Sequence, residues 1–222
     1  MLRGLCAEML LVLKFFALAY SALLPVINPL GSALLFLTVV GSVPPEQFRY
    51  LARRVAVSMV LFLLVFEGGG AALLNFFGIS LPVVQFAGGF VLAAMGWRIL
   101  DQKESANEQR PSPGTLDEKV FFPLTFPISA GPACIVVTLT LSAHASRNEL
   151  VGSVLAHLGI SSAIVAMGVT LWLCYAYAPR ISQKMAPATV QGVLRFVAFV
   201  LLCVGVQIAS NGLEAIVKTA RK

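Results

Sequence analysis

Two long stretches of the chain, 15–45 and 120–146, contain no Lys, Arg, Asp or Glu, yet each is interrupted near its middle by proline and glycine. The first interruption reads Asn28-Pro29-Leu30-Gly31 and the second Ser129-Ala130-Gly131-Pro132. A helix crosses a bilayer with about 20 mainly apolar residues, so runs of this length are membrane-spanning. Inside the hydrocarbon every backbone polar group must find a partner, and broken backbone is tolerated only where protein or water supplies one. The breaks therefore mark a candidate binding site within the membrane.

Charge supports the same environment. Charged residues make up 12% of the chain and hydrophobic ones 58%, against about 25% charged in an average soluble domain. Further charge-free runs occupy 68–97, 150–179 and 196–213. The expected fold class is all-α integral membrane. The net charge of +6 comes from cations scattered over short loops, without the basic-aromatic clustering of a nucleic-acid binder. Cys6, Cys134, Cys174 and Cys203 have no C-x-x-C spacing, so neither a disulfide framework nor a metal site is expected. No catalytic motif or Walker loop is present; enzyme activity and a cofactor are not expected. The stretch ending Ala17-Leu18-Ala19 imitates a signal-peptide cleavage site, but Lys14 interrupts it and the apolar run continues, so no cleavage is expected.

Turn-rich and charged segments divide the chain into six expected spans, 9–40, 52–75, 82–100, 120–143, 150–176 and 191–213. The polar segment 101–119, with Pro111, Pro113 and Gly114, has the composition of a cytosolic linker. It separates two three-helix repeats, 1–100 and 120–222, each opening with a broken helix. Gln85-Phe86-Ala87-Gly88 aligns with Arg195-Phe196-Val197-Ala198 near the close of each half. Three spans per half would invert the second half, the plan of many secondary transporters. Arg49, Arg53, Arg54, Arg98, Lys103, Arg110, Lys119, Arg180 and Lys184 fall on one side, against Arg3, Arg147, Lys218, Arg221 and Lys222 on the other. The positive-inside rule then places both termini on the periplasmic side.

An unbroken helix over 15–45 would measure about 46 Å, well beyond a hydrocarbon core of about 30 Å. Asn28-Pro29 reads as a helix start, with Asn as cap and Pro at the first helical position. Ser129 or Gly131 before Pro132 reads likewise. Two such starts would direct their N–H groups and positive dipole ends at one site. The competing reading is a pair of proline kinks that serve packing. Secondary candidates for coupling or a pathway are Glu67 beside Gly68-Gly69-Gly70, His157, Gln85, Gln207 and Asn211, with Asn75 as a further polar residue. Lys14 reads as a snorkelling residue.

The assembled motifs resemble the MarC family of six-span inner-membrane proteins. The matching pieces are Asn28-Pro29-Leu30-Gly31 with Phe36-Leu37, Phe77-Gly78-Ile79-Ser80-Leu81, Ala87-Gly88-Gly89, Phe126-Pro127-Ile128-Ser129-Ala130-Gly131-Pro132, Arg195-Phe196, and Gln207 with Asn211-Gly212. The resemblance implies kinship with LysE-type exporters and transporters of small neutral amino acids. It implies substrate contacts at Asn28, Pro29, Gly31, Ser129, Gly131 and Pro132. Leu34, Ala133 and Ala198 depart from the family pattern, and Ala133 stands next to the second break. The expected partners are the bilayer, a small solute and a second copy in a homo-oligomer. The alternative expectation is a membrane component that binds a partner or serves envelope stress without transporting.

Overall fold

The computed structural model describes residues 2–41, 43–101, 120–145, 150–184 and 187–221, which are helical apart from short turns and contain no strand. The helices are α1 (Leu2–Ile27), α2 (Pro29–Val40), α3 (Pro45–Phe77), α4 (Leu81–Asp101), α5 (Pro132–Ala145), α6 (Leu150–Lys184) and α7 (Pro187–Ala220). A wide-turned segment, Val120–Ser129, leads into α5. Among the described residues four stretches have the length and hydropathy to cross a membrane: Ala7–Leu37, Leu81–Asp101, Leu150–Arg180 and Arg195–Ala220. They coincide with four of the expected spans. The spans expected at 52–75 and 120–143 fall on α3 and on Val120–Ser129 with α5, and are outside those four. From 102 onward the expected linker lies outside the described residues.

The outer surface is apolar. Leu13, Leu61, Val65, Phe90 and Trp97 are all exposed, forming a surface that water would drive to aggregate and lipid solvates. Within it, α6 is the central element and packs against α1, α2, α3 and α5. Small residues set these approaches. A methyl group at Gly159 would stand 2.6 Å from the Val12 carbonyl of α1, and one at Gly168 would collide with Val60 of α3. The main core runs from Phe15 and Leu23 through Phe36, Met59 and Leu124 to Ile164, Leu171 and Tyr175.

α4 and α7 form the most extensive helix pair, running antiparallel along a seam of small residues. A methyl group at Gly89 would stand 2.7 Å from the Gly205 carbonyl, and one at Gly205 would stand 2.7 Å from the Gly89 carbonyl. Gly96 meets Ala198 and Leu202, while Gly212 meets Pro82 and Phe86, again reciprocally. Close backbone approach through glycine is the usual means of helix association in lipid, where no hydrophobic force acts between helices. These contacts relate Gly89 to Gly205 and Phe86 to Leu202. The alignment of Phe86 with Phe196 expected from sequence is a different register from that of these contacts.

Two glycine substitutions on these helices have opposite expected signs. Gly89→Ala forces the α4 and α7 backbones apart and should lower stability by about 1–3 kcal/mol. Gly192→Ala meets nothing within 4 Å and should raise it by up to about 1 kcal/mol through helix propensity. Thermal unfolding in detergent distinguishes them.

Candidate functional site

The first break is a helix start, as its residues dictate. Asn28 adopts φ 46° and ψ 66°, the left-handed region, and is the one non-glycine residue with positive φ among those described. Asn tolerates this region better than most residues. Its carboxamide oxygen accepts the Gly31 N–H at 3.1 Å, and Pro29 occupies the first helical position. The side chain lies so closely over Gly31 that any Cβ there would collide with the Asn28 amide. Ser32 donates its hydroxyl to the Asn28 carbonyl at 2.9 Å. One amide of the α2 start is therefore already occupied by its own cap.

The second break is built differently. Phe122-Pro123-Leu124-Thr125 is followed at once by Phe126-Pro127-Ile128-Ser129, a tandem four-residue repeat. Proline pushes the preceding residue out of the helical region, and Phe122 (φ −122°, ψ 123°) and Phe126 (φ −117°, ψ 125°) are both extended. Hydroxyls then reach backward across five residues. Thr125 Oγ1 donates to the Val120 carbonyl at 2.7 Å and Ser129 Oγ to the Leu124 carbonyl at 2.6 Å. The Ala130 N–H bonds the Thr125 carbonyl at 2.8 Å. Pro132 begins α5, and the Gly131 carbonyl accepts the Cys134 N–H at 3.0 Å. Of the two caps considered from sequence, Gly131 holds the position. Ser129 serves the segment before it.

Tyr175, fully buried on α6, joins the two breaks. Its hydroxyl lies 2.8 Å from Ser129 Oγ, with the Ser32 side chain close by. With the Ser129 proton given to Leu124, the tyrosine donates to Ser129, while Ser32 keeps its own proton on the Asn28 carbonyl. The ring stacks on Phe36 at 4.5 Å, and Phe36 meets Phe48 edge-on at 5.0 Å. Beyond these rings lies a cavity of about 550 Å³, lined by Leu37, Val43, Phe48, Tyr177, Arg49 and Arg180. The aromatic cluster separates this basic mouth from the buried hydroxyls. Sequence reading singled out neither Tyr175 nor Ser32 nor Thr125. The tandem Phe-Pro repeat was the available signal for Thr125.

Glu67 and His157, considered separately from sequence, form one pair. His157 Nδ1 lies 2.5 Å from Glu67 Oε1, and Ser161 Oγ is 3.5 Å from Oε2. Glu67 is buried on α3, and its backbone carbonyl accepts the Ser142 hydroxyl of α5 at 2.7 Å. Of the three neighbouring glycines only Gly70 makes a close approach, to Leu139. Gly68 and Gly69 have open space. Gln85 is half-buried and reaches Thr140 of α5 at 3.4 Å. Gln207 bonds Asn211 within α7, both exposed, so this pair is local to one helix. Asn75 is exposed near the end of α3.

The sequence pattern of MarC family integral membrane proteins matches residues 13–217. The chain belongs to the MarC family. A UPF0056 membrane protein of Pyrococcus abyssi is 27% identical over 206 residues, covering 93% of this chain and 98% of its own length. The UPF0056 inner membrane protein MarC of Salmonella typhimurium is 27% identical over 214 residues, covering 93% and 97%. No solved structure matches the chain. In this MarC-family protein the conformation of Asn28 makes a direct prediction. Asn28→Ala loses the cap and strains the backbone, and should cost about 1–2 kcal/mol, whereas Asn28→Gly should cost only a few tenths. Unfolding midpoints in detergent give the comparison.

Proposed function

We propose that the protein is a secondary transporter of small zwitterionic or carboxylate solutes, such as neutral amino acids, moving them across the cell inner membrane by alternating access. The observation that carries this reading is the Tyr175 hydroxyl, bonded to Ser129 before one break and close to Ser32 beyond the other, with its ring stacked on Phe36 of α2. Two simple kinks would need no shared centre. The positive ends of α2 and α5 suit a carboxylate, and unwound carbonyls of the kind in Val120–Ser129 suit an ammonium group. In this reading Asn28, Pro29, Gly31, Ser129, Gly131 and Pro132 surround the solute.

The proposed frame is six spans in two inverted three-helix repeats. Its support is the reciprocal seam, in which Gly89 and Gly205 occupy equivalent places. Arg49 and Arg180 share one cavity, and the positive-inside rule assigns that end to the cytoplasm, with both termini periplasmic. A homo-oligomer remains part of the proposal.

Uptake or counterflow of radiolabelled alanine or glycine in proteoliposomes tests the reading. The expected result is flux above protein-free vesicles. Asn28→Gly, which preserves the turn, should reduce that flux about tenfold, equivalent to about 1.4 kcal/mol of lost interaction, with folded yield unchanged. No flux under any gradient, together with co-purification of one stoichiometric partner, would favour the non-transporting alternative.

A further inference from the structure

The two polar features of the interior are connected. Cys134, Thr138 and Ser142 succeed one another at four-residue intervals, the spacing that places side chains on one helical face. All three are buried on α5. The stripe begins beside the second break, where Cys134 Sγ approaches the Ser129 carbonyl at 3.9 Å. It ends at Ser142, bonded to the Glu67 carbonyl. Between them, Thr138 Oγ1 is the one buried side-chain polar atom without a partner among the described residues. Buried hydroxyls are normally satisfied, so an orphan within a membrane helix is a stepping point for water or solute. A polar line thus leads from the breaks to the Glu67–His157 pair.

The pair also joins two different helices, whereas Glu214–Lys218 lies within α7. It holds α3 against α6 near the ends farther from the Arg49–Arg180 cavity. The next residues of α3 are Gly68 and Gly69, whose open surroundings mean that packing does not demand glycine there. Glycine within a helix loosens it by about 1 kcal/mol relative to alanine. A contact between titratable groups therefore sits beside a soft turn at the end of a polar line.

We infer that Glu67 and His157 form a proton-binding latch that closes this end of the pathway, and that the proton is the coupling ion. This rests on the transport reading above. With one proton shared between the carboxylate and the imidazole, the contact holds. A second proton converts the pair to a neutral carboxyl beside an imidazolium, which removes the charge attraction and frees α3 to swing at Gly68-Gly69. Loss of the proton restores the latch. An intramembrane carboxylate paired with histidine is the usual equipment of a proton relay.

Few other groups compete. On the packed elements, α5 contributes His144, exposed and bonded to the Thr140 carbonyl. α1 contributes the exposed Glu8 and Lys14 and, farther along, the half-buried Tyr20, bonded to Thr170. The remaining charges of α3 (Glu46, Arg49, Arg53, Arg54) and of α6 (Arg180, Lys184), with Tyr50, Cys174, Tyr175 and Tyr177, lie toward the opposite ends of those helices. Val120–Ser129 has no titratable side chain.

The test uses spin labels at two exposed positions, Phe76 on α3 and Val151 on α6, in a background freed of other reactive cysteines. In the wild-type protein the separation should be short at neutral pH and lengthen on acidification. In Glu67→Gln, which imitates the protonated carboxyl, it should be long at every pH. In His157→Gln it should lose its pH response. A wild-type separation indifferent to pH, or a Glu67→Gln protein that still closes, overturns the latch. Because this readout needs no solute, it stands apart from the alanine and glycine assays. If those show transport, Glu67→Gln should keep counterflow and lose proton-driven accumulation, and retained accumulation overturns the coupling role.

Discussion

A backbone that stops being helical inside a bilayer exposes N–H and C=O groups that no solvent will satisfy. The interior of this protein is arranged around that requirement. At the first break Asn28 covers the Gly31 amide and Ser32 returns to the Asn28 carbonyl. At the second, Thr125 and Ser129 reach back to carbonyls that prolines have taken out of helical register. Tyr175 then bonds Ser129 of the second repair and stacks on Phe36 of the helix that the first repair begins. Ser129 serves backbone and neighbour at once, which brings the second irregular segment against the residue that packs on the first.

This arrangement divides the bundle by stiffness. The α4–α7 seam brings backbones into contact through Gly89, Gly96, Gly205 and Gly212, leaving little room to slide. The end of α3 is the opposite case, with Gly68 and Gly69 facing open space beside a titratable contact. The proposed movement needs both a fixed frame and a yielding element, and glycine supplies each according to what surrounds it.

Much of the first break was legible in sequence, because Asn followed by Pro carries its own local chemistry and needs no partner from afar. Four expected spans were equally plain, since hydropathy alone defines them. The second break was readable only as a location. The role of Ser129 depends on Leu124 and Tyr175, and the latter is 46 residues away. Glu67 and His157 each looked like an isolated polar residue, and their pairing across 90 residues leaves no local mark. The α4–α7 seam left no such mark either, because it is set by small residues whose importance appears only when two backbones meet.

The central claim is that the two broken segments act as one packed polar centre around Tyr175. A double-mutant cycle with Ser32→Ala and Ser129→Ala, read by reversible unfolding in micelles, measures it most directly, since both serines lie close to the same hydroxyl. The account predicts non-additivity of about 0.5–3 kcal/mol, the range for residues sharing one network. Additive losses, within about 0.5 kcal/mol, would mean that the two breaks are independent kinks.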